Sequence, residues 1–412
     1  MKKVLIYGMG KTGIELMRFC KRKSIGYLTF DDNTNTPEQF VLYLSQCHLI
    51  ITSPGVGLRN KNIRLAIKKK IKVISEIEFA SRFLSKPIIA ITGTNGKTTT
   101  TLLTYKLLKS ARLNVFLGGN IGTPLIKAVE SQDKYDFILV EVSSFQLQFI
   151  DTSFSPFISA ILNFSENHLD HHLDMNEYAE SKRKIFRNQT TMNYSLSSMS
   201  ELFHPESKSI RLNPLKNKKI YSKDNQIIVG DIKIMAKELK LLGPHNVENI
   251  LFSLNIFCLI KKITNKQIIA LKTFSSPPHR LEIIKGGKYI VNDSKSTSPQ
   301  ATEVAIKSFS NKIILIMGGK DKKLDYVSLA RLIKNKVKLL ILFGENKFEL
   351  AKILNPKTMY LAPSLFEAVS TGLKETKRGI PLVFSPGTSS FDEFSSFTER
   401  GETFKKYVKE LS

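Results

Sequence analysis

Tryptophan is absent from this 412-residue chain, and cysteine occurs only at Cys20, Cys47 and Cys258. Three scattered thiols give neither a disulfide framework nor a metal-binding spacing. Acidic residues are scarce, 36 Asp and Glu against 62 Lys and Arg, for a net charge of +26. Such a balance raises nucleic acid or an anionic membrane as partners. Arginine suits forked phosphate and base contacts, yet it supplies only 13 of the basic residues, and the 49 lysines are spread along the whole chain. That spread reads as the mark of a lysine-rich proteome, so no nucleic acid is expected as partner. No apolar run reaches the roughly 18 residues that span a bilayer; the best candidate, 250–260, carries Asn255 and reads as a buried helix. Met1 to Tyr7 begins like a signal peptide, but Gly8 and Gly10 interrupt the apolar run. The chain is read as cytoplasmic and not inserted in membrane.

What is present is alternation. Short apolar runs at Val4–Tyr7, Gly26–Phe30 and His48–Thr52 alternate with helical patterns, the sign of a parallel α/β sheet. Further strands are expected at Ile88–Thr92, Phe137–Val142, Ile158–Asn163, Tyr289–Asn292, Ile313–Met317, Leu339–Phe343 and Pro381–Ser385, and a helix at Asn246–Ile260. Residues 190–240 are polar and turn-rich, as a β insertion would be. Lys86-Pro87 and Ser275-Ser276-Pro277-Pro278 punctuate the chain. The expected fold is α/β in three domains, 1–86, 87–276 and 277–412.

Two glycine-bearing turns follow strands and open helices. Gly8-Met9-Gly10-Lys11-Thr12-Gly13 matches GxGxxG, with Asp31-Asp32 at about the distance of a ribose-binding acid. Glycines admit a diphosphate close to the backbone, and the helix N-terminus attracts its charge. A dinucleotide, another nucleotide diphosphate or a ligand-free tight turn all satisfy that pattern. Gly93-Thr94-Asn95-Gly96-Lys97-Thr98 is more specific. Its backbone N–H groups would point at phosphate oxygens. Lys97 would offset β/γ-phosphate charge, and Thr98 would hold Mg²⁺. A general P-loop has glycine where Ile91 stands. Glu141 ends a buried strand, where a second metal ligand would sit. His168 alone reads equally as ligand or surface residue, and Lys182 alone as a solvated helix lysine.

Gly-Thr-Asn-Gly-Lys-Thr-Thr at 93–99 resembles the variant of the Mur ligase and folylpolyglutamate synthase superfamily. Glu141-Val142-Ser143-Ser144-Phe145-Gln146-Leu147, Ser385-Pro386, Ser390-Phe391-Asp392-Glu393-Phe394 and Phe397-x-x-Arg400-Gly401 extend the resemblance from Gly8 to Phe404. They point to the Mur ligases that add D-glutamate; the Asp-Asn-Pro-Arg motif of the branch adding a diamino acid is missing. The resemblance implies a Rossmann-like first domain, a central P-loop-type ATPase domain with a β insertion, and a Rossmann-like third domain. It implies an ATP-dependent ligase joining D-glutamate to UDP-N-acetylmuramoyl-L-alanine through an acyl phosphate, acting as a monomer with ATP and two Mg²⁺ ions, or Mn²⁺ in their place.

Residue by residue, it implies that Gly10, Lys11, Thr12, Asp31, Asp32, Ser53, Gly55 and Asn120 bind the UDP substrate. Gly93, Thr94, Asn95, Gly96, Lys97, Thr98, Thr99, Asn249, Arg280 and Asp293 would bind ATP, with His245 and Asn246 on the adenine side. Thr297, Lys322, Ser390, Phe391 and Phe397 would seat D-glutamate. Lys97, Glu141, His168 and Lys182 would be catalytic. Thr98, Glu141, His168 and Lys182, the last as a carbamate, would hold metal. An unmodified ammonium beside Mg²⁺ would be repelled. Asn167, Ser298 and Asn33 depart from the family's usual Asp, Asn and basic residue. Hinges are expected near Pro87 and Pro277. Rival readings are a ligase for another amino acid or for folate, an NAD-dependent oxidoreductase resting on Gly8–Gly13, and a nucleic-acid-binding protein resting on charge.

Overall fold

The strongest sequence signal, the unbroken apolar run Ile88–Thr92, forms a fully buried strand at the middle of a parallel sheet. Burial on both faces is what removes the polar alternation from such a strand. The structure, a computed structural model, describes residues 3–166, 171–199, 201–203, 207–241, 243–284, 289–320, 324–376 and 379–411. They form two compact units, one of residues 1–238 with 247–272, the other of 239–246 with 273–412.

The first unit opens with a parallel sheet of β1 (Lys3–Tyr7), β2 (Tyr27–Phe30), β3 (Cys47–Thr52) and β4 (Lys72–Ser75), in the order β2-β1-β3-β4. Its second sheet contains β5 (Ile88–Thr92), β6 (Val115–Gly119), β7 (Phe137–Glu141), β8 (Ile158–Ile161), β9 (Tyr194–Ser197) and β10 (Ile210–Leu212). The order is β10-β9-β8-β5-β7-β6, again parallel. The polar stretch after residue 190 contributes β9 and β10 and then an antiparallel meander, β11 (Ile220–Lys223), β12 (Gln226–Val229) and β13 (Ile232–Met235). The helix expected at 246–260 runs Pro244–Cys258.

The second unit is built on β14 (Glu282–Ile284), β15 (Ile290–Asn292), β16 (Ile313–Gly318), β17 (Val337–Phe343), β18 (Met359–Leu361) and β19 (Leu382–Phe384). Their order is β14-β15-β19-β16-β17-β18, parallel except for β14.

Within the first unit one apolar core runs through both parallel sheets. Phe19, Phe79 and Ala80 belong to the same buried cluster as Phe116, Leu125, Ile138 and Phe154. Each fully buried large apolar side chain contributes about 1.5–3 kcal/mol. Two buried carboxylates also cross the joint at Lys86-Pro87. Glu76 accepts from the backbone N–H of Ile126 at 2.6 Å, and Glu78 from those of Ser153 and Phe154 at 2.9 and 3.0 Å. Burial pushes the Glu76 carboxyl up to about 7. Pro277, the other expected hinge, follows the division between Lys272 and Thr273.

Candidate active site

The helix Lys97–Ser110 is built against propensity. Thr98, Thr99, Thr100 and Thr101 are β-branched residues in its first turns, and all four are buried. Tertiary packing therefore fixes this helix. Ser253 Oγ donates to the Thr100 carbonyl at 3.2 Å, and Thr100 Oγ1 to Asn249 Oδ1 at 3.2 Å. The N-cap is Gly96, at φ 79°, with no side-chain cap and no acidic residue in the first turn. A helix N-terminus of this kind suits an anion. A Cβ on Gly96 would lie 2.2 Å from Asn249 Oδ1.

Asparagines and threonines brace the loop itself. Thr94 N donates to the Asn163 carbonyl at 3.0 Å, and Asn95 N to Asn163 Oδ1 at 2.8 Å. Asn163 returns a bond from Nδ2 to the Asn95 carbonyl at 3.1 Å. Thr94 Oγ1 meets Tyr178 Oη at 3.1 Å. Lys97 Nζ folds back on the carbonyls of Gly93 and Thr94 at 2.8 and 2.9 Å.

Glu141 is 1% exposed. Thr98 Oγ1 donates to its Oε2 at 2.7 Å, and Asn120 Nδ2 to its Oε1 at 2.8 Å. Parallel pairing of β5 with β7 sets Ile91 opposite Glu141, so both strands end at the loop. Gly119, at φ 93°, lets β6 pass so close that a Cβ would meet the Glu141 carbonyl at 2.3 Å.

Lys182 is equally buried, on the helix Met175–Arg183. Its Nζ donates to the Gly93 carbonyl at 2.9 Å and lies 4.6 Å from the centre of the Tyr178 ring. Burial, reinforced by the charge of Lys97, holds its amine well below the usual lysine range. The structure thus brings Thr94, Lys97, Thr98, Asn120, Glu141 and Lys182 to one loop. His168 lies outside the described residues, as does Lys322. Among the described residues no three His, Cys, Asp or Glu side chains cluster as a metal site would.

Sequence reasoning passed over His172. It is fully buried, with Nε2 at 3.0 Å from Ser144 Oγ and Nδ1 at 3.1 and 3.3 Å from Gln148 Nε2 and Glu177 Oε1. Burial lowers its basicity, opposed by Glu177. It ties the Glu141–Leu147 segment to the helix that bears Lys182. A histidine near His168 and His171 carried no spacing that marked it.

The first glycine turn lines a cavity of about 400 Å³ together with Lys11, Thr12, Asp31, Asp32 and Ser53. Its glycines differ in need: a Cβ on Gly13 would lie 2.1 Å from the Gly8 carbonyl, whereas one on Gly10 meets nothing within 4 Å. Asp31 accepts from Met9 N at 2.7 Å, and this N–H holds its carboxyl below the usual range. Asp32 takes bonds from Tyr7 Oη at 2.6 Å and Asn60 Nδ2 at 2.9 Å, and Ser53 Oγ donates to the Gly8 carbonyl at 2.6 Å. Lys11 reaches the carbonyl of Gly122, in the loop that carries Asn120.

In the second unit, Asp293 is buried and its carboxylate accepts from Ser296 Oγ, Ser385 Oγ and Leu281 N at 2.6, 2.8 and 3.1 Å. Burial still pushes it up to about 6. Ser390 is buried and Phe391 is 64% exposed. Lys295 Nζ stands 3.8 Å from the centre of the Phe397 ring, and Thr297 and Arg280 are half-buried. Arg400, fully buried, donates to the carbonyls of Ser294, Thr388 and Ser389 at 3.0, 3.2 and 3.0 Å, and burial lowers its guanidinium to about 10. It braces the 294 loop against the 388–390 loop, a role the Phe-x-x-Arg-Gly spacing does not express.

Residues 91–257 match the family model of the Mur ligase middle domain, and 279–386 that of the Mur ligase glutamate ligase domain. A curated UDP-N-acetylmuramoylalanine–D-glutamate ligase from Geotalea uraniireducens is 35% identical over 100% of this chain and 98% of its own length. One from Aquifex aeolicus is 36% identical over 99% and 98%. Among solved structures, the MurF ligase of Thermotoga maritima in complex with ADP aligns with a TM-score of 0.64 at 15% identity, covering 100% of this chain and 96% of that one. A pseudomurein peptide ligase type C from Methanothermus fervidus gives 0.61 at 18%, covering 100% of both, a likeness of fold. With full-length relatives above 30% identity and both domain models in place along its two units, the chain belongs to the Mur ligase family.

Proposed function

We propose that this chain is an ATP-dependent amide ligase that joins D-glutamate to UDP-N-acetylmuramoyl-L-alanine in peptidoglycan precursor synthesis, as a monomer in the cytoplasm. The observation that carries the reading is the buried Glu141 carboxylate, held between Thr98 and Asn120 where β7 meets the glycine loop, in a chain aligned end to end with curated D-glutamate ligases. An oxidoreductase resting on Gly8–Gly13 would leave that second loop without a task.

The reaction joins a carboxylate to an amine. A carboxylate oxygen of the alanyl group attacks the γ-phosphorus of ATP. The bond to ADP breaks and an acyl phosphate forms, which turns a poor acyl donor into a good one. The amine of D-glutamate attacks the acyl carbon, the C–O bond to phosphate breaks, and the amide nitrogen loses a proton. Lys97 offsets charge gathering on the transferred phosphoryl group, and the N–H groups after Gly96 hold its oxygens. Gly10, Lys11, Thr12, Asp31, Asp32, Ser53, Gly55 and Asn120 bind the UDP substrate. Thr94, Asn95, Thr99, Asn249, Arg280 and Asp293 complete the ATP site. Thr297, Lys322, Ser390, Phe391 and Phe397 seat D-glutamate.

Two Mg²⁺ ions, with Mn²⁺ as substitute, suit the donor set. Thr98 Oγ1 and Glu141 are hard oxygen ligands beside the loop. Thr98, Glu141, His168 and Lys182 as its carbamate would hold them. When bound, the ions neutralise phosphate charge. The depressed basicity of Lys182 favours the neutral amine, the form that adds CO₂. The new N–C bond releases one proton and converts a buried neutral amine into an anion.

A coupled ADP-release assay with UDP-N-acetylmuramoyl-L-alanine and either enantiomer of glutamate tests the reading. ADP is expected with D-glutamate and at least tenfold less with L-glutamate, a factor worth about 1.4 kcal/mol. ADP release indifferent to D-glutamate would overturn it.

A further inference from the structure

β6 is an edge strand. It pairs with β7 on one side, and on the other its one pairing among the described residues is the bridge between Gly118 and Thr123. Along that open side lies a trough of about 670 Å³, larger than the cavity of about 400 Å³ at the first glycine turn. None of the residues assigned above to ATP, the UDP substrate or D-glutamate lines it. Its floor is Val115, Phe116 and Leu117, all uncharged. Lys109 from the Lys97–Ser110 helix, Lys127 from the short helix Ile126–Val129 and Lys134 from the turn Gln132–Lys134 stand around it, and no Asp or Glu lines it. Lys127 shares its charge with Glu15 and Glu130 at 3.5 and 3.7 Å. Lys109 and Lys134 enter no ion pair among the described residues.

Lysines that protect an edge from aggregation project from the edge strand itself. Here the strand is apolar and the lysines stand on the flanking elements, where they would meet side chains of an added strand. The open backbone edge offers hydrogen-bond partners to an extended chain. Unopposed lysines select carboxylates. We propose that this trough docks an extended acidic segment of a partner protein, which adds to the sheet beside β6.

The test is fluorescence anisotropy of the full chain with a labelled peptide of about ten residues alternating Glu and Val, the length of a long strand. Binding is expected, weakened at least tenfold in the Lys109→Glu/Lys134→Glu variant and at least tenfold when alternate peptide nitrogens are methylated. ADP release by the variant should match the parent, since neither lysine is assigned to the reaction. Should the double charge reversal impair folding, Lys109→Gln/Lys134→Gln takes its place. No binding, binding indifferent to the lysines, or equal binding of the methylated peptide would overturn the proposal. Tripolyphosphate that displaces the peptide while methylation has no effect would reduce the trough to a site for small anions, which also overturns it.

Discussion

The two glycine-bearing turns share one plan, strand to glycine loop to helix, and differ in what stands behind them. The turn at Gly8–Gly13 is backed by Asp31 and Asp32, whose oxygens are occupied by Met9 N, Tyr7 and Asn60, and it opens on a cavity. The turn at Gly93–Thr98 is backed by Glu141 and Lys182, both about 1% exposed, and its own lysine lies across it. The first arrangement holds its acids in hydrogen bonds beside an open cavity. The second gathers charge that a bound phosphate can complete. Under the proposed function the same local pattern serves recognition in one place and chemistry in the other, and the difference lies in burial, which a GxGxxG-type spacing does not encode.

The sharpest way to break this comparison is to remove the lysine of each turn. Lys97→Ala is expected to lower kcat by about 10³-fold, in the range seen when a group stabilising phosphoryl charge is lost. Lys11→Ala should raise KM for the UDP substrate by about tenfold and leave kcat within about twofold, as loss of uniform binding does. Steady-state kinetics with each substrate varied decides; equal kcat losses would erase the distinction.

A smaller effect separates the carboxylates. The Glu76 carboxyl, raised to about 7 by burial, favours the folded state most below its ordinary range near 4.5 and loses that contribution as pH rises through about 7. A shift of this size corresponds to about 3 kcal/mol. Asp293, raised to about 6, acts in the same sense. Asp31 is held low, so its contribution is present above the ordinary carboxylate range and fades as pH falls. In denaturant melts, Glu76→Gln should flatten the loss of stability between about pH 4.5 and pH 7. An unchanged pH slope would show that Glu76 is not the group responsible.

The glycines give the smallest and cleanest contrast. Gly96→Ala combines a φ of 79° with a clash on Asn249 and should cost about 2 kcal/mol in thermal melts. Gly10→Ala, whose Cβ meets nothing within 4 Å, should stay within about 0.5 kcal/mol. Equal costs would mean that the loops share one backbone constraint.

Much of the fold was legible because its central strands are buried on both faces and announce themselves as apolar runs. Strands with mixed or short sequences were not: Lys72–Ser75, Val115–Gly119 and Met359–Leu361 carry no distinct signal, and the sheet recruits them through pairing. In the site, glycine, lysine and threonine spacing located the loop, and the end of β7 pointed to Glu141. The hydrogen bond from Asn120 to Glu141, the His172 hub and the bracing by Arg400 depend on chain segments that meet only after folding. Lys182 was found by resemblance; its lowered basicity comes from burial beside Lys97, a tertiary property.

The core shared across Lys86-Pro87 bears on modularity. Residues 1–86 are not a cassette that can be traded freely among sister ligases. A graft cut at Pro87 would strip Glu76 and Glu78 of the N–H groups of Ile126, Ser153 and Phe154 and expose Phe19 and Phe79. A recombinant exchanging residues 1–86 would have to carry the 115–154 stretch along, and drift at either surface must be answered on the other.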